Sequence, residues 1–189
     1  MKGLVLSLFD FSGVMVQPWR DAGYDTLSVD LKNGIDILRW LPPRVDYKIC
    51  FAFPPCTDQA VSGARWFKDK GLAGLSAAIE LVERSRDICE WCDCPWMIEN
   101  PVSVMSSYWR KPDFTFQPWH FAGYEPNDNY TKKTCLWTGN GFAMPECRPL
   151  LNGEKPDNRM HLMPPSPDRS DLRSVTPLGF AKAVYEANA

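Results

Sequence analysis

No apolar run in this chain approaches the ~18 residues that a bilayer-spanning helix requires, so no membrane partner is expected. The opening Met1-Lys2-Gly3-Leu4-Val5-Leu6-Ser7-Leu8-Phe9 is short, runs directly into Asp10 and lacks a small-residue cleavage site; it reads as a strand rather than an export signal. A basic excess is also missing. With 21 Lys and Arg against 23 Asp and Glu, the formal net charge is −2, whereas a protein that lives on phosphate contacts carries surplus cations. Any grip on nucleic acid is therefore expected to be local or weak. The seven cysteines, an odd number without an export signal, point to reduced thiols and a cytoplasmic setting rather than a disulfide framework. No internal repeat or low-complexity tract is visible. What is there is a globular composition, 44% hydrophobic and 23% charged over 189 residues, enough for one domain with a real core and too little for several.

Residues 3–9, with Leu4, Val5, Leu6 and Leu8, form an apolar run that stops at Asp10-Phe11-Ser12-Gly13, the pattern of a buried strand entering a tight loop. Pro18 opens a short helix that Gly23 closes. Tyr24 to Val29 makes a second strand ending at Asp30, and 33–41 is a brief helical or irregular crossover. Tyr47 to Phe53 is a third strand, stopped by Pro54-Pro55-Cys56. Over 72–93, Leu75, Ala78, Ile79, Val82 and Ile88 recur near the 3.6-residue period and predict the clearest helix. Trp96-Met97-Ile98 is a short strand ended by Glu99-Asn100-Pro101, Lys133 to Trp137 another strand ended by Gly139, and 177–187 a closing helix. This alternation predicts an α/β fold, Rossmann-like, with a mostly parallel sheet, helices on both faces and a site at the carboxyl ends of the strands. Pro145, Pro149, Pro156, Pro164, Pro165 and Pro167 forbid long regular elements, so 142–173 reads as an ordered but irregular excursion from one domain spanning 1–189.

Three polar loops are expected to converge at that edge and are the candidates for chemistry. The first, Phe9 to Gly13, followed by a carboxylate at Asp30 about 20 residues after the strand, has the layout of a nucleotide-type cofactor site. Its single glycine favours a cofactor without a pyrophosphate; a plain strand-to-helix connection is the other reading. Cys56 leaves a central strand through a turn, where a lowered pKa would make it a nucleophile, although a lone cysteine is more often a small buried hydrophobe. Glu99 faces the same cleft, as a capping group or as a buried acid able to donate a proton. Cys89-x-x-Cys92-x-Cys94 invites a metal, with Cys147, Cys135, His120 or His161 completing the set, but no second Cys-x-x-Cys is present and no metal is assigned. Lys132-Lys133-Thr134, with Arg110 and Lys111 beside Trp109 and Trp119, interleaves cations and aromatics in the way that binds phosphates and stacks bases; a solvated loop is the alternative.

Taken in order, Phe9 to Gly13, Asp30, Gly34-Ile35-Asp36-Ile37, Asp46 to Cys56, a helix into Glu99-Asn100, and a basic pair before a strand, the chain resembles the cytosine-C5 DNA methyltransferases. The likeness is most specific from Gly34 to Cys56, covers 3–139 with gaps, and returns at Ser174-Val175-Thr176-Pro177. The compact chain is similar to the short phage-type members of that family. The resemblance implies a methyltransferase fold that binds S-adenosylmethionine, with Phe9 near the adenine, Gly13 along the methionine part, Asp30 on the ribose hydroxyls and Asp36 on the adenine amino group. Pro54 and Val175 would complete the cofactor site. It also implies Cys56 as the nucleophile, Glu99 as the acid holding the cytosine edge, Lys132 in place of an arginine near the target, and a cytoplasmic, phage-encoded protein acting on DNA.

Phe11 and Val14 stand where the family has glycines, Thr57 replaces its glutamine and Pro101 its valine. The recognition region shrinks to about 140–172, where Arg148, Lys155, Arg159 and Arg169 meet Glu146, Glu154, Asp157 and Asp168. A neutral insertion of that size predicts poor discrimination among duplex sequences. Single-stranded DNA, a free cytosine nucleotide, or a homodimer that lends surface then come forward. A non-catalytic fold relative that binds a partner is a further reading, and an amino-group methyltransferase ranks last because Cys56 cannot stack on an adenine.

Overall fold

The computed structural model describes residues 2–151 and 153–189; Asn152, within the expected excursion, lies outside them. Among the described residues, β1 (Leu4–Leu8), β2 (Asp25–Val29), β3 (Tyr47–Ala52), β4 (Trp96–Pro101), β5 (Phe114–Phe116) and β6 (Thr134–Gly139) form one sheet in the order β2-β1-β3-β4-β6-β5. The first four strands in that order run parallel, and β6 runs antiparallel to both β4 and β5. The α/β architecture with a mostly parallel sheet thus stands as expected.

Alternation along the strands divides the core in two, since successive side chains point to opposite faces. Leu6, Leu8, Cys50, Ala52, Trp96, Ile98 and Trp137 pack with Val82, Ile88 and Cys89 of α2 (Phe67–Trp91). Val5, Ile49, Phe51, Met97 and Leu136 pack on the other face with Trp19 of α1 (Gln17–Asp21) and with Phe180, Ala181 and Val184 of α6 (Leu178–Asn188). Trp19 is fully buried, edge-on to Tyr24 and Tyr185 at 5.1 Å each, and Phe180 stacks on Phe116 at 4.2 Å.

Several expectations shift. The strand expected at 96–98 continues to Pro101, so Glu99 and Asn100 belong to the strand and not to a loop after it. The cause is β6, whose antiparallel ladder pairs Glu99 with Leu136, Asn100 with Cys135 and Pro101 with Thr134. The helix expected over 72–93 begins earlier, at Phe67, broken by Gly71 at φ 67° and ψ −174°. The three-residue β5 was not foreseen. The short helices α3 (Met105–Tyr108), α4 (Arg159–Leu162) and α5 (Arg169–Ser174) complete the chain, two of them inside the excursion. Cys89, Cys92 and Cys94 are buried among apolar side chains, and Cys89 Sγ touches Cys50 Sγ at 3.4 Å. Among the described residues no group of three or more His, Cys, Asp or Glu side chains is arranged to hold a metal, and no helix is long and apolar enough to cross a membrane.

Gly139 faces Trp96 across the β4–β6 pair, and a methyl group there would lie inside the indole ring. Gly139→Ala is expected to destabilise the protein by about 1–3 kcal/mol through overpacking, read as a lower urea midpoint at unchanged slope.

Candidate functional site

The parallel register builds the site. Leu8 pairs with Val29 on one side and Ala52 on the other, and Ala52 pairs with Ile98. The residues that follow, Asp30, Phe9, Phe53 and Glu99, therefore stand in one row along the carboxyl edge. Phe9 N–H donates to Val29 O at 2.7 Å and Phe53 N–H to Leu8 O at 3.0 Å, which carries the ladder one residue past the strands. With neighbouring strands about 4.8 Å apart, Asp30 and Glu99 lie three steps, or about 14 Å, from one another. The chain leaves β1 toward β2 on one side and β3 toward β4 on the other, so the crevice between β1 and β3 is a topological switch point, where open α/β sheets bind ligands.

The loop after β1 is held by a residue to which the sequence reading gave no role. Asp10 is 4% exposed, and its carboxylate accepts from Ser7 Oγ at 3.0 Å, Ser12 Oγ at 2.9 Å and Gly13 N–H at 2.8 Å. The spelling Asp10-x-Ser12-Gly13 is an Asx-turn signal that would have found it. Phe9 takes φ 58° and Gly13 φ 66°; the first is costly for a side-chain-bearing residue and is maintained by these bonds. Phe9 packs partly into the core while Phe11 is exposed under Lys32, whose Nζ lies 5.1 Å from the ring centre. Asp30 caps the turn Leu31–Asn33, accepting from Lys32 N–H at 2.8 Å. Asp36 has a local partner for each oxygen, Leu38 N–H at 3.1 Å and Arg39 Nε at 3.6 Å. Val175 is exposed at the end of α5.

Two buried amides hold the Cys56 loop. Asn100 donates from Nδ2 to Pro54 O at 2.9 Å, and Gln59 from Nε2 to Pro55 O at 3.2 Å; both side chains are fully buried. Consecutive carbonyls are thus tied from both sides. Cys56 O accepts from Gln59 N–H at 3.1 Å and Ala60 N–H at 2.9 Å, turning the chain directly after the thiol. Gln59 also escaped the sequence reading, because nothing in Thr57-Asp58-Gln59 says which polar side chain turns inward.

The charges around Cys56 come from three separate segments. Burial pushes its thiol pKa up and the Glu99 charge pushes it further, while Lys132 and Arg173 act in the opposite direction. Burial likewise raises the Glu99 carboxyl, against Lys132. Glu99 and Lys132 line a crevice of about 10 Å³ with Phe53, Ser174 and Thr176, room for about one water. The structure therefore brings Cys56, Glu99 and Lys132 together and adds Arg173.

No protein-family model and no curated protein matches this chain. The functional reading consequently rests on the geometry.

The cation–aromatic cluster expected around Trp109 and Trp119 is largely committed to the fold. Arg110 pairs with Asp113 at 2.6 Å and donates to Thr138 O at 3.0 Å. Trp109 stacks on Trp137 at 6.1 Å, and Trp119 packs against His120. Lys111 and Lys133 remain exposed.

The electrostatics predict how Cys56 reacts with iodoacetamide as pH rises. Its alkylation midpoint, followed by mass spectrometry, is expected above that of an ordinary thiol, near pH ~8.5. Lys132→Ala should move the midpoint up, since the lysine favours the thiolate, and Glu99→Gln should move it down.

Proposed function

We propose that this protein is an S-adenosylmethionine-dependent methyltransferase that modifies C5 of cytosine in DNA, with Cys56 as nucleophile and Glu99 as acid. The observation that carries the reading is the convergence of Cys56, Glu99 and Lys132 at the carboxyl edge of adjacent elements, with Asn100 clamping the Pro-Pro-Cys loop to the strand that bears Glu99. The mostly parallel sheet and its switch point between β1 and β3 support the Rossmann-like methyltransferase fold.

The residues beside that switch point suit the cofactor. Phe11, under Lys32, and Leu31, next to Asp30 in the chain, are both exposed, offering apolar faces for a purine near a carboxylate for vicinal hydroxyls. Asp36 is the weaker candidate because both its oxygens already have partners. When bound, the cofactor supplies an electrophilic methyl group at its sulfonium.

Cytosine C5 is a poor nucleophile until a thiolate adds at C6. The Cys56 sulfur forms the new bond to C6, and the electron pair of the 5,6 double bond passes to C5, which takes the methyl group. Glu99, whose carboxyl burial keeps more protonated than an exposed one, donates to N3 as negative charge develops on the ring. Lys132 favours the thiolate. Removal of the C5 proton by a base restores the double bond and expels Cys56. The crevice of about 10 Å³ is too small for a pyrimidine, so this reading requires it to widen when the target enters, and the base must be unpaired or flipped out.

Incubation with tritiated cofactor tests the reading. Label is expected in single-stranded DNA above duplex DNA, none with Cys56→Ala, and a loss of about 10²–10⁴ with Glu99→Gln. A strand bearing 5-fluorocytosine should become covalently attached to Cys56, because fluorine blocks the last step. Label in dCMP alone would move the substrate to the free nucleotide, which the net charge of −2 favours; no label anywhere rejects the proposal. On the cofactor side, Asp30→Ala is expected to weaken S-adenosylmethionine binding by about 1.5–3 kcal/mol, measured by calorimetry.

A further inference from the structure

A cavity of about 330 Å³ lies beside the segment that follows Cys56. Phe67, Leu72, Leu75 and Val104 form its apolar walls, and Asp58, Lys68 and Lys70 its polar ones. Asp58 stands two residues after Cys56 and Val104 five after Glu99. The two wall segments are joined by the Ala60–Ser103 bridge, by Val61 N–H to Val102 O at 2.9 Å and by Val104 N–H to Gln59 O at 3.2 Å. The cavity is thus walled by the direct continuations of the segments that carry the nucleophile and the acid. Gly71 breaks the helix there, so the turns before and after it both reach the cavity.

Its surroundings are apolar, with charges of both signs. Leu72 is 84% exposed, Val61 52% and Trp66 51%, an unusual amount of apolar surface left to water on one segment. Lys70 pairs with Asp58 at 3.2 Å and donates to Thr57 O, which offsets the one carboxylate in the wall. Arg65 lies over Trp66 at 5.1 Å and Lys68 lines the cavity, adding cations to a segment that also carries Asp69.

We propose that this cavity holds the base next to the target cytosine of a single-stranded nucleic acid. The inference rests on the proposed function. Every nucleobase has a flat apolar face to lay on Phe67 and Leu75, and polar edges to meet Asp58. The phosphate that follows meets Lys68. A free nucleotide has no second base to offer, and a duplex keeps its neighbouring bases stacked and paired. Context is then read one base at a time, as suits a chain whose 140–172 region carries balanced charge.

Fluorescence anisotropy without cofactor tests this, using a labelled single-stranded 12-mer with one cytosine and two variants abasic on either side of it. Wild type should lose about tenfold in affinity for one of the abasic strands, the scale of one base–aromatic stack, and little for the other. Leu72→Glu, at a position exposed enough to leave the core untouched, should bind the intact strand about tenfold more weakly and be indifferent to the abasic site. An intact duplex of the same sequence should bind less tightly than the single strand. Indifference of wild type to both abasic sites, unchanged binding by Leu72→Glu, or preference for duplex overturns the inference even where cytosine is methylated. Retention of the one-sided abasic effect with no methylation of any substrate overturns the function instead and leaves the base site standing.

Discussion

The register of β3 is the constraint on which the carboxyl edge depends. Paired on one side with β1 and on the other with β4, and buried on both faces, β3 cannot slip by one residue without exchanging Cys50 and Ala52 with Ile49 and Phe51 between two cores already filled. The same register aligns Phe9, Phe53 and Glu99. A slip would carry the Pro-Pro-Cys turn about 3.3 Å away from Glu99. The Asn100 to Pro54 bond extends that alignment past the end of the strand, into the one stretch where the ladder no longer determines position.

Within the aligned edge, burial and charge oppose one another. Low local dielectric disfavours both a thiolate at Cys56 and a carboxylate at Glu99, and each anion would also repel the other; Lys132 favours both. One nearby cation does not offset two buried anions. Under the proposed chemistry Lys132 is the group that offsets part of this cost as the Cys56 sulfur becomes anionic.

The Pro-rich excursion carries only the short helices α4 and α5, and contacts along its length tie it to the rest of the fold. Arg148 N–H donates to His120 O at 2.7 Å, its guanidinium pairs with Glu186 at 2.9 Å, and Thr131 N–H donates to Asp157 O at 2.8 Å. Further along, Asp171 of α5 pairs with Lys32 at 2.7 Å, so the returning chain reaches the β2 side while Arg173 lies near Cys56. Arg159 is spent on Asp157. Two of the excursion's cations, Arg148 and Arg159, are thus held in ion pairs.

Local pattern alone located β1, β2, β3, the long helix and the closing helix, because each rests on apolar spacing within a dozen residues. It also singled out Phe9, Gly13, Asp30, Cys56 and Glu99, since a polar residue that ends an apolar run tends to sit at the edge of a sheet. Four things were decided only in three dimensions. A strand pattern carries no direction, so the reversal of β6 and the lengthening of β4 to Pro101 followed from a partner nearly 40 residues away. Asp36 spent both oxygens on neighbours that spacing could not rank. The inward turn of Gln59 and Asn100 depended on which carbonyls the loop left unsatisfied. Arg173 came within electrostatic reach of Cys56 because the excursion returns to this side of the fold. Amino-acid order encodes periodicity and turn chemistry at short range, whereas the company a buried polar group keeps is set by whichever distant segment packs against it.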